Sequence, residues 1–358
     1  MTPIKADPAP GADGGWARKL SAYRIPSAPR GAVELAATAL PFALAWAATW
    51  IALRHGWYWL YALLTPLSAG LLVRLFLIQH DCGHGSFLPH KVANDWLGRA
   101  ISVLTFTPYD HWRRSHAIHH ATAGNLERRG IGDIDTLTVA EYGARTWSGR
   151  LRYRLYRHPL VMFGLGPLYT FLWENRLPWG FMSKGWMPWL STMGTNLGIA
   201  LAAALMVWLV GAGAFLLVHL PMMALAATFG VWLFYVQHQF DGAHWSEAKA
   251  WNPEEAALLG SSHYDLPQPL LWLTASIGVH HVHHLSSRIP FYRLQTVLRD
   301  HPELKGVSRL TLWRSFGCLN LALWDERQRK LVSFGEARRQ RAAVALSTRP
   351  VSRGESRT

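Results

Sequence analysis

Residues 57–84 read WYWLYALLTPLSAGLLVRLFLIQHDCGH. From Trp57 to Ile78 the only charge is Arg74, and the run is about the 20 residues a helix needs to cross hydrocarbon. It continues without a breaker into His80 and His84, which at four residues apart share one helical face. A membrane span thus delivers two imidazoles just above the bilayer surface. Upstream, Ala32 to Leu53 is a second apolar run, interrupted by Glu34, and Arg54-His55-Gly56 leaves room only for a tight hairpin. Downstream, Trp189–Val210 and Ala214–Val236 form another pair, joined at Gly211-Ala212-Gly213. Two shorter apolar stretches, Leu97–Pro108 and Pro159–Trp173, fall short of a span and read as interfacial or re-entrant.

Two hairpins enter and leave on one side, and the positive-inside rule then places Lys and Arg there. Lys91, Arg113, Arg114, Arg128, Arg129 and Arg150 all lie between the hairpins, whereas the opposite turns hold only Arg54. The class expected is an all-α polytopic membrane protein: spans at about 32–53, 57–78, 189–210 and 214–236, under a cytosolic helical cap from 79–188 and 237–320. Residues 1–30, rich in proline and glycine, are expected to be a loose cytosolic arm, and 321–358 a basic tail, helical from Trp324 to Leu346 and lying on the anionic surface. Multi-pass insertion in the inner (cytoplasmic) membrane with both termini cytosolic follows.

Composition agrees. Half of the 358 residues are apolar and only 16% charged, against about 25% in soluble globular chains. The excess of 36 Lys+Arg over 22 Asp+Glu is explained by topology and lipid headgroups, which leaves no need for a nucleic-acid partner. Two cysteines, Cys82 and Cys318, exclude a disulfide scaffold, a four-cysteine iron–sulfur cluster and a zinc ribbon.

The 18 histidines are the anomaly. Three clusters stand out, His80/His84, His116/His119/His120 and His280/His283/His284, all on one expected side. Spacings of i, i+4 or i, i+3 and i+4 let two or three imidazoles of a helix reach a common centre. Eight nitrogens exceed what one ion takes, so two metal ions sharing the set are favoured, with zinc, copper and iron all suited to imidazole. His238, closing the fourth span at the level of His84, is a ninth candidate, or else an interfacial helix cap. His281 faces away from its neighbours and reads as structural. Asp81, Asp110, Asp133, Asp135, Asp241 and Asp265 are candidates to orient ligands through the second ring nitrogen.

The three boxes, HxxxH, HxxHH and HxxHH, resemble those of the integral-membrane fatty acid desaturases. HDCGHGSF (80–87), SHAIHHATAGNLERRGIGDID (115–135), FYVQHQF (234–240) and IGVHHVHHLSSRIPFYRL (277–294) resemble the bacterial acyl-lipid branch, over roughly Gly70 to Leu298. The resemblance implies a di-iron centre on His80, His84, His116, His119, His120, His280, His283 and His284, with His238 matching the extra histidine after the last span. Departures are Ser276 where Asn is usual, His263 where an aromatic is usual, and Gly242-Ala243-His244 in place of an acidic stretch. None removes a box histidine.

The implied reaction is a cis desaturation of an acyl chain, expected to be lipid-linked and omega-6/delta-12 or delta-5-like. A methylene C–H bond within an acyl tail has no acidity and no leaving group, so acid–base groups cannot activate it, whereas O2 chemistry at a metal can. Two external electrons are required, and the sequence has no haem or iron–sulfur motif to store them. A ferredoxin, flavodoxin or cytochrome b5-like donor docking on the basic cap is therefore implied. The alternative on the same scaffold is a lipid or carotenoid hydroxylase or ketolase. A bis-histidine cytochrome or a metal transporter would instead place histidines within the spans.

Overall fold

The computed structural model describes residues 15–347. Among these, four helices are long and apolar enough to cross a membrane, α1 (Ala28–Arg54), α2 (Tyr58–His84), α6 (Met187–Val210) and α7 (Ala212–His238). Between the hairpins lie α3 (Lys91–Thr105), α4 (Tyr109–Thr122) and α5 (Gly166–Leu172), and after α7 comes the short α8 (His280–Leu285). The all-α polytopic expectation holds.

The spans outrun their apolar runs. Helix α2 does not stop at Ile78 but continues to His84, where Gly85 at φ 65° supplies the left-handed cap. Helix α7 likewise carries on to His238. Helix α2 is the central span, burying Leu71, Leu72, Val73, Leu75, Leu77 and Ile78, whereas α6 leaves Leu197, Leu201, Leu205 and Leu209 exposed on the face that lipid would cover. Helix α3 has its polarity inverted: Asn94, Asp95, Ser102 and Thr105 are buried while Val92 and Trp96 are exposed, as suits a helix lying against lipid.

Glu34 and Arg74, the two charges inside the first hairpin, answer one another. Arg74, 2% exposed, pairs through Nη2 with Glu34 at 2.5 Å and donates from Nε to Thr38 Oγ1 at 3.0 Å. Its guanidinium lies over the rings of Trp272 at 4.1 Å and Phe291 at 5.3 Å. A charge in hydrocarbon persists only when paired in this way, and here the pair also ties both spans to the cap.

Two expectations are corrected. Residues 15–30 are not a loose arm: Gly15–Lys19 and Ser21–Arg24 are helical turns, Leu20 is fully buried with Trp16 and Tyr23 packed beside it, and Ser27 caps α1. Three apolar side chains among the prolines suffice to dock the segment on the cap, and residues 1–14 lie outside the described residues. The tail is not helical from Trp324. Strands β1 (Leu137–Thr138), β2 (His263–Asp265), β3 (Arg309–Thr311), β4 (Leu323–Asp325) and β5 (Lys330–Val332) form two small sheets, β1-β4-β5 and β2-β3. Asp325 Oδ1 accepts from the backbone N–H of Arg327 and Gln328, closing a turn that reverses the backbone and buries Trp324. The helix starts only at Phe334 and runs to Ser347, and residues 348–358 lie outside the described residues.

Candidate metal centre

Four helix ends converge under the cap. Helix α2 brings His80 and His84, α4 brings His116, His119 and His120, α7 brings His238, and α8 brings His280, His283 and His284. Helix α4 is locked in place by Tyr109, which is fully buried and donates to the carbonyl of Cys82 on α2 at 2.8 Å. Its ring presses so closely on Gly98 of α3 that a Cβ there would lie 2.2 Å from a ring carbon. Helix α8 follows a tight turn in which Ala275 and Ser276 have φ of 49° and 54°. Asn tolerates that left-handed region better than Ser, so the departure at Ser276 costs some backbone strain.

The nine imidazoles form two groups, His80/His84/His116/His120/His283 and His119/His238/His280/His284, with the candidate ligand atoms of each within 4.8 Å of one another. In the first, His116 Nε2 lies 3.0 Å from His80 Nε2 and 3.1 Å from those of His84 and His120, and His283 is 3.1 Å from His120. In the second, His238 Nε2 is 3.1 Å from His119 and 3.0 Å from His280, which is 3.1 Å from His284. His120 and His284 stack at 4.2 Å, so the groups are neighbours.

The two groups cut across the three clusters. In both triple boxes the i and i+4 members (His116 and His120, His280 and His284) face one group, and the i+3 member (His119, His283) faces the other. At 3.6 residues per turn, i+3 and i+4 differ by about 100° around the helix, and i and i+4 by only about 40°. Helices α4 and α8 therefore each stand between the two groups.

A shared cation explains these contacts and hydrogen bonding does not. A neutral imidazole holds one proton, yet His116 Nε2 has three nitrogen neighbours within 3.1 Å. Separations near 3.0 Å are short enough for the ring nitrogens to share one ion at about 2.1 Å from each. Burial, reinforced by the neighbouring rings, holds His116, His120, His280, His283 and His284 well below the ordinary imidazole range, keeping them neutral as ligands must be. Each group could hold a metal ion.

Two of the six candidate carboxylates reach a ligand ring. Asp133 lies 2.5 Å from His119 Nδ1, and Asp81 lies 3.2 Å from His80 Nδ1 while accepting the Phe291 N–H at 2.7 Å. Asp110 instead pairs with Arg99 and Arg113, and Asp265 with Arg309. His238 Nδ1 faces the Gly260 carbonyl at 3.3 Å. His281 turns away, its Nε2 3.0 Å from the Leu304 carbonyl and its ring against His263 at 5.4 Å, so His263 fills an aromatic's place. His55, His90, His111, His158, His219, His244 and His301 join neither group. Sequence reasoning missed Trp112, which stacks on His116 at 4.5 Å and 17°. Its position, one helical turn before His116, was the available signal.

Beside the histidines a cavity of about 270 Å³ descends between the spans. His80, His116 and His280 form its head, Leu72, Val73 and Phe76 of α2 one wall, and Met223, Ala227 and Gly230 of α7 the other. The lining is almost wholly apolar, as an alkyl tail requires.

The chain matches the family model for fatty acid desaturases over residues 57–315. It is 43% identical over 319 residues to the fatty acid desaturase of Bacillus subtilis (strain 168), covering 88% of this chain and 89% of that protein. It is 31% identical to the sn-1 acyl-lipid omega-3 desaturase (ferredoxin) of Synechocystis sp., covering 73% of each, and 26% identical to the sn-1 oleoyl-lipid 12-desaturase of that organism, covering 69% and 67%. Four candidate spans, two histidine groups and an apolar cavity beneath them thus coincide with similarity running through most of the molecule, and the chain belongs to the fatty acid desaturase family of membrane oxidoreductases.

Proposed function

We propose that the protein introduces a cis double bond into an acyl chain of a membrane lipid, of omega-6/delta-12 or delta-5-like position, using O2 and two electrons from an external donor. The observation that carries this reading is the placing of the histidine groups at the head of an apolar cavity. Relatives described as acyl-lipid and oleoyl-lipid desaturases support the lipid-linked substrate, and one described with ferredoxin supports that donor over flavodoxin or a cytochrome b5-like protein. The reaction balances as –CH2–CH2– + O2 + 2 e⁻ + 2 H⁺ → –CH=CH– + 2 H2O. The inner membrane, with both termini on the cytosolic side, is the location that the basic cap supports.

His80, His84, His116, His120 and His283 would hold one iron ion, and His119, His238, His280 and His284 the other. Bound there, two irons supply the capacity to activate O2 for attack on an unactivated C–H bond. The protein's own residues do the rest. Asp133 and Asp81 fix the His119 and His80 rings through Nδ1, which keeps each Nε2 lone pair directed inward. The apolar walls hold the acyl tail extended, exclude water and present adjacent methylenes beneath His80, His116 and His280.

The test is purified protein in lipid vesicles with iron, O2 and a reduced ferredoxin, with products read by mass spectrometry. A loss of two hydrogens per acyl tail is expected, and a gain of oxygen would favour the hydroxylase or ketolase reading. The cavity makes a second prediction. A Cβ built on Gly230 meets nothing within 4 Å, so Gly230→Leu should fold normally yet fill the chamber. Turnover is expected to fall at least tenfold with iron content unchanged, and unaltered turnover would show that the acyl tail lies elsewhere.

A further inference from the structure

On the cap side of the membrane, α3, α4 and the start of α6 enclose a second, larger groove of about 1010 Å³. Lys91, Arg99, Arg113 and Arg114 line it. Two carboxylates face them: Asp110 pairs with Arg99 and Arg113, and Asp95 with Arg113 and Lys91. Four cations against two anions leave a positive excess, and Arg114 has no acidic partner among the described residues, its guanidinium lying over the Phe181 ring at 5.3 Å. The apolar lining comes from Val103 of α3 and from Met187 and Leu190 of α6, the last two more than half exposed on the lipid-facing side of α6.

The groove adjoins the chamber through a smaller space. It shares His111 and Phe181 with a small cavity, which in turn shares Trp112, Ser115, Gly132 and Asn175 with the chamber under the histidines. Basic groove, small cavity and chamber are thus three adjoining spaces, the groove at the cap end of the spans and the chamber descending between them.

We propose that this groove binds the phosphate headgroup of an anionic glycerophospholipid, so that one acyl tail passes beneath Phe181 and Trp112 into the chamber while the other lies along α6. This rests on the desaturase reading and specifies its substrate. An acyl thioester of a soluble phosphorylated carrier would also offer phosphate, but it has one tail and leaves the exposed apolar wall of α6 without an occupant. Interfacial cations attract anionic lipid, so Arg114, unpaired among the described residues, favours a phosphate headgroup here.

The experiment uses the full-length protein in nanodiscs of phosphatidylglycerol and phosphatidylcholine. It compares wild type, Lys91→Glu/Arg114→Glu, the milder Arg114→Gln and, as a control on an exposed loop, Lys249→Glu. Native mass spectrometry after release into detergent counts retained phosphatidylglycerol, and turnover is followed on acyl tails esterified to it. The double variant is expected to retain at least tenfold less lipid and to show a raised KM with kcat and iron content unchanged. Arg114→Gln should show a smaller loss in the same direction, and Lys249→Glu none. Equal retention and KM in wild type and double variant would overturn the proposal, as would displacement of the lipid by millimolar inorganic phosphate or selective loss of acyl-CoA turnover. If no protein made unsaturated product yet lipid retention fell as expected, the groove would stand and the desaturase reading would fail.

Discussion

Alanine at His116 is expected to reduce desaturation to background and to lower bound iron from two ions per protein to one or fewer. His116 Nε2 is the hub of its group, in contact with three other ring nitrogens. Its loss leaves His80, His84 and His120 without a common neighbour. The same outcome is expected for His280→Ala in the second group, where His280 Nε2 links His238 and His284. Asp133→Asn, which leaves His119 in place but weakens its hold, should cost about 10–100-fold. His55→Ala and His301→Ala, far from both groups, should leave activity and iron unchanged. Iron analysis beside product analysis on each variant, with membrane insertion checked, decides the matter. Full activity in the His116 and His280 variants would refute the ligand assignment.

The second large effect concerns stability. Glu34→Ala is expected to destabilise the folded protein by about 3–5 kcal/mol, because it strands the Arg74 guanidinium, 2% exposed, inside the span. Arg74→Ala should cost a similar amount, since it also removes the cation from between Trp272 and Phe291. The double replacement Glu34→Leu/Arg74→Met should recover most of the loss, because no unpaired charge remains. Arg30 also bonds Glu34 at 2.7 Å, but its side chain is 57% exposed, so Arg30→Ala should cost at most about 1 kcal/mol. Unfolding in bicelles by graded SDS measures all four. A double variant no better than either single would mean that the pair does more than neutralise itself.

The hairpins were legible because a bilayer imposes a length and polarity that 20-residue runs cannot hide. The nine histidines were legible because helix ends at one membrane level bring together what the sequence separates. Their partition was not. Whether His119 sides with His116 depends on where α4 stands between two centres, and helical spacing alone does not contain that. The same limit applies to Asp133, fourteen residues from His119 and joined to it through a loop turn. Leu20 and Trp324 were misjudged for a related reason: each sits in polar, proline-rich or arginine-rich surroundings, and its burial is decided by the surface it meets. Composition described the neighbourhood correctly and the residue wrongly.

The order of the ligands along the sequence bears on biosynthesis. When a ribosome has made the protein through His238, the nascent polypeptide holds four of five members of one histidine group and two of four of the other. Both groups are completed only by α8, and the strands that clip the cap together pair with residues as late as Thr311 and Val332. All four spans can therefore be inserted before either pocket is closed. If the two groups hold iron as proposed, loading follows translation, and cells starved of metal should accumulate an inserted apoprotein that added iron activates.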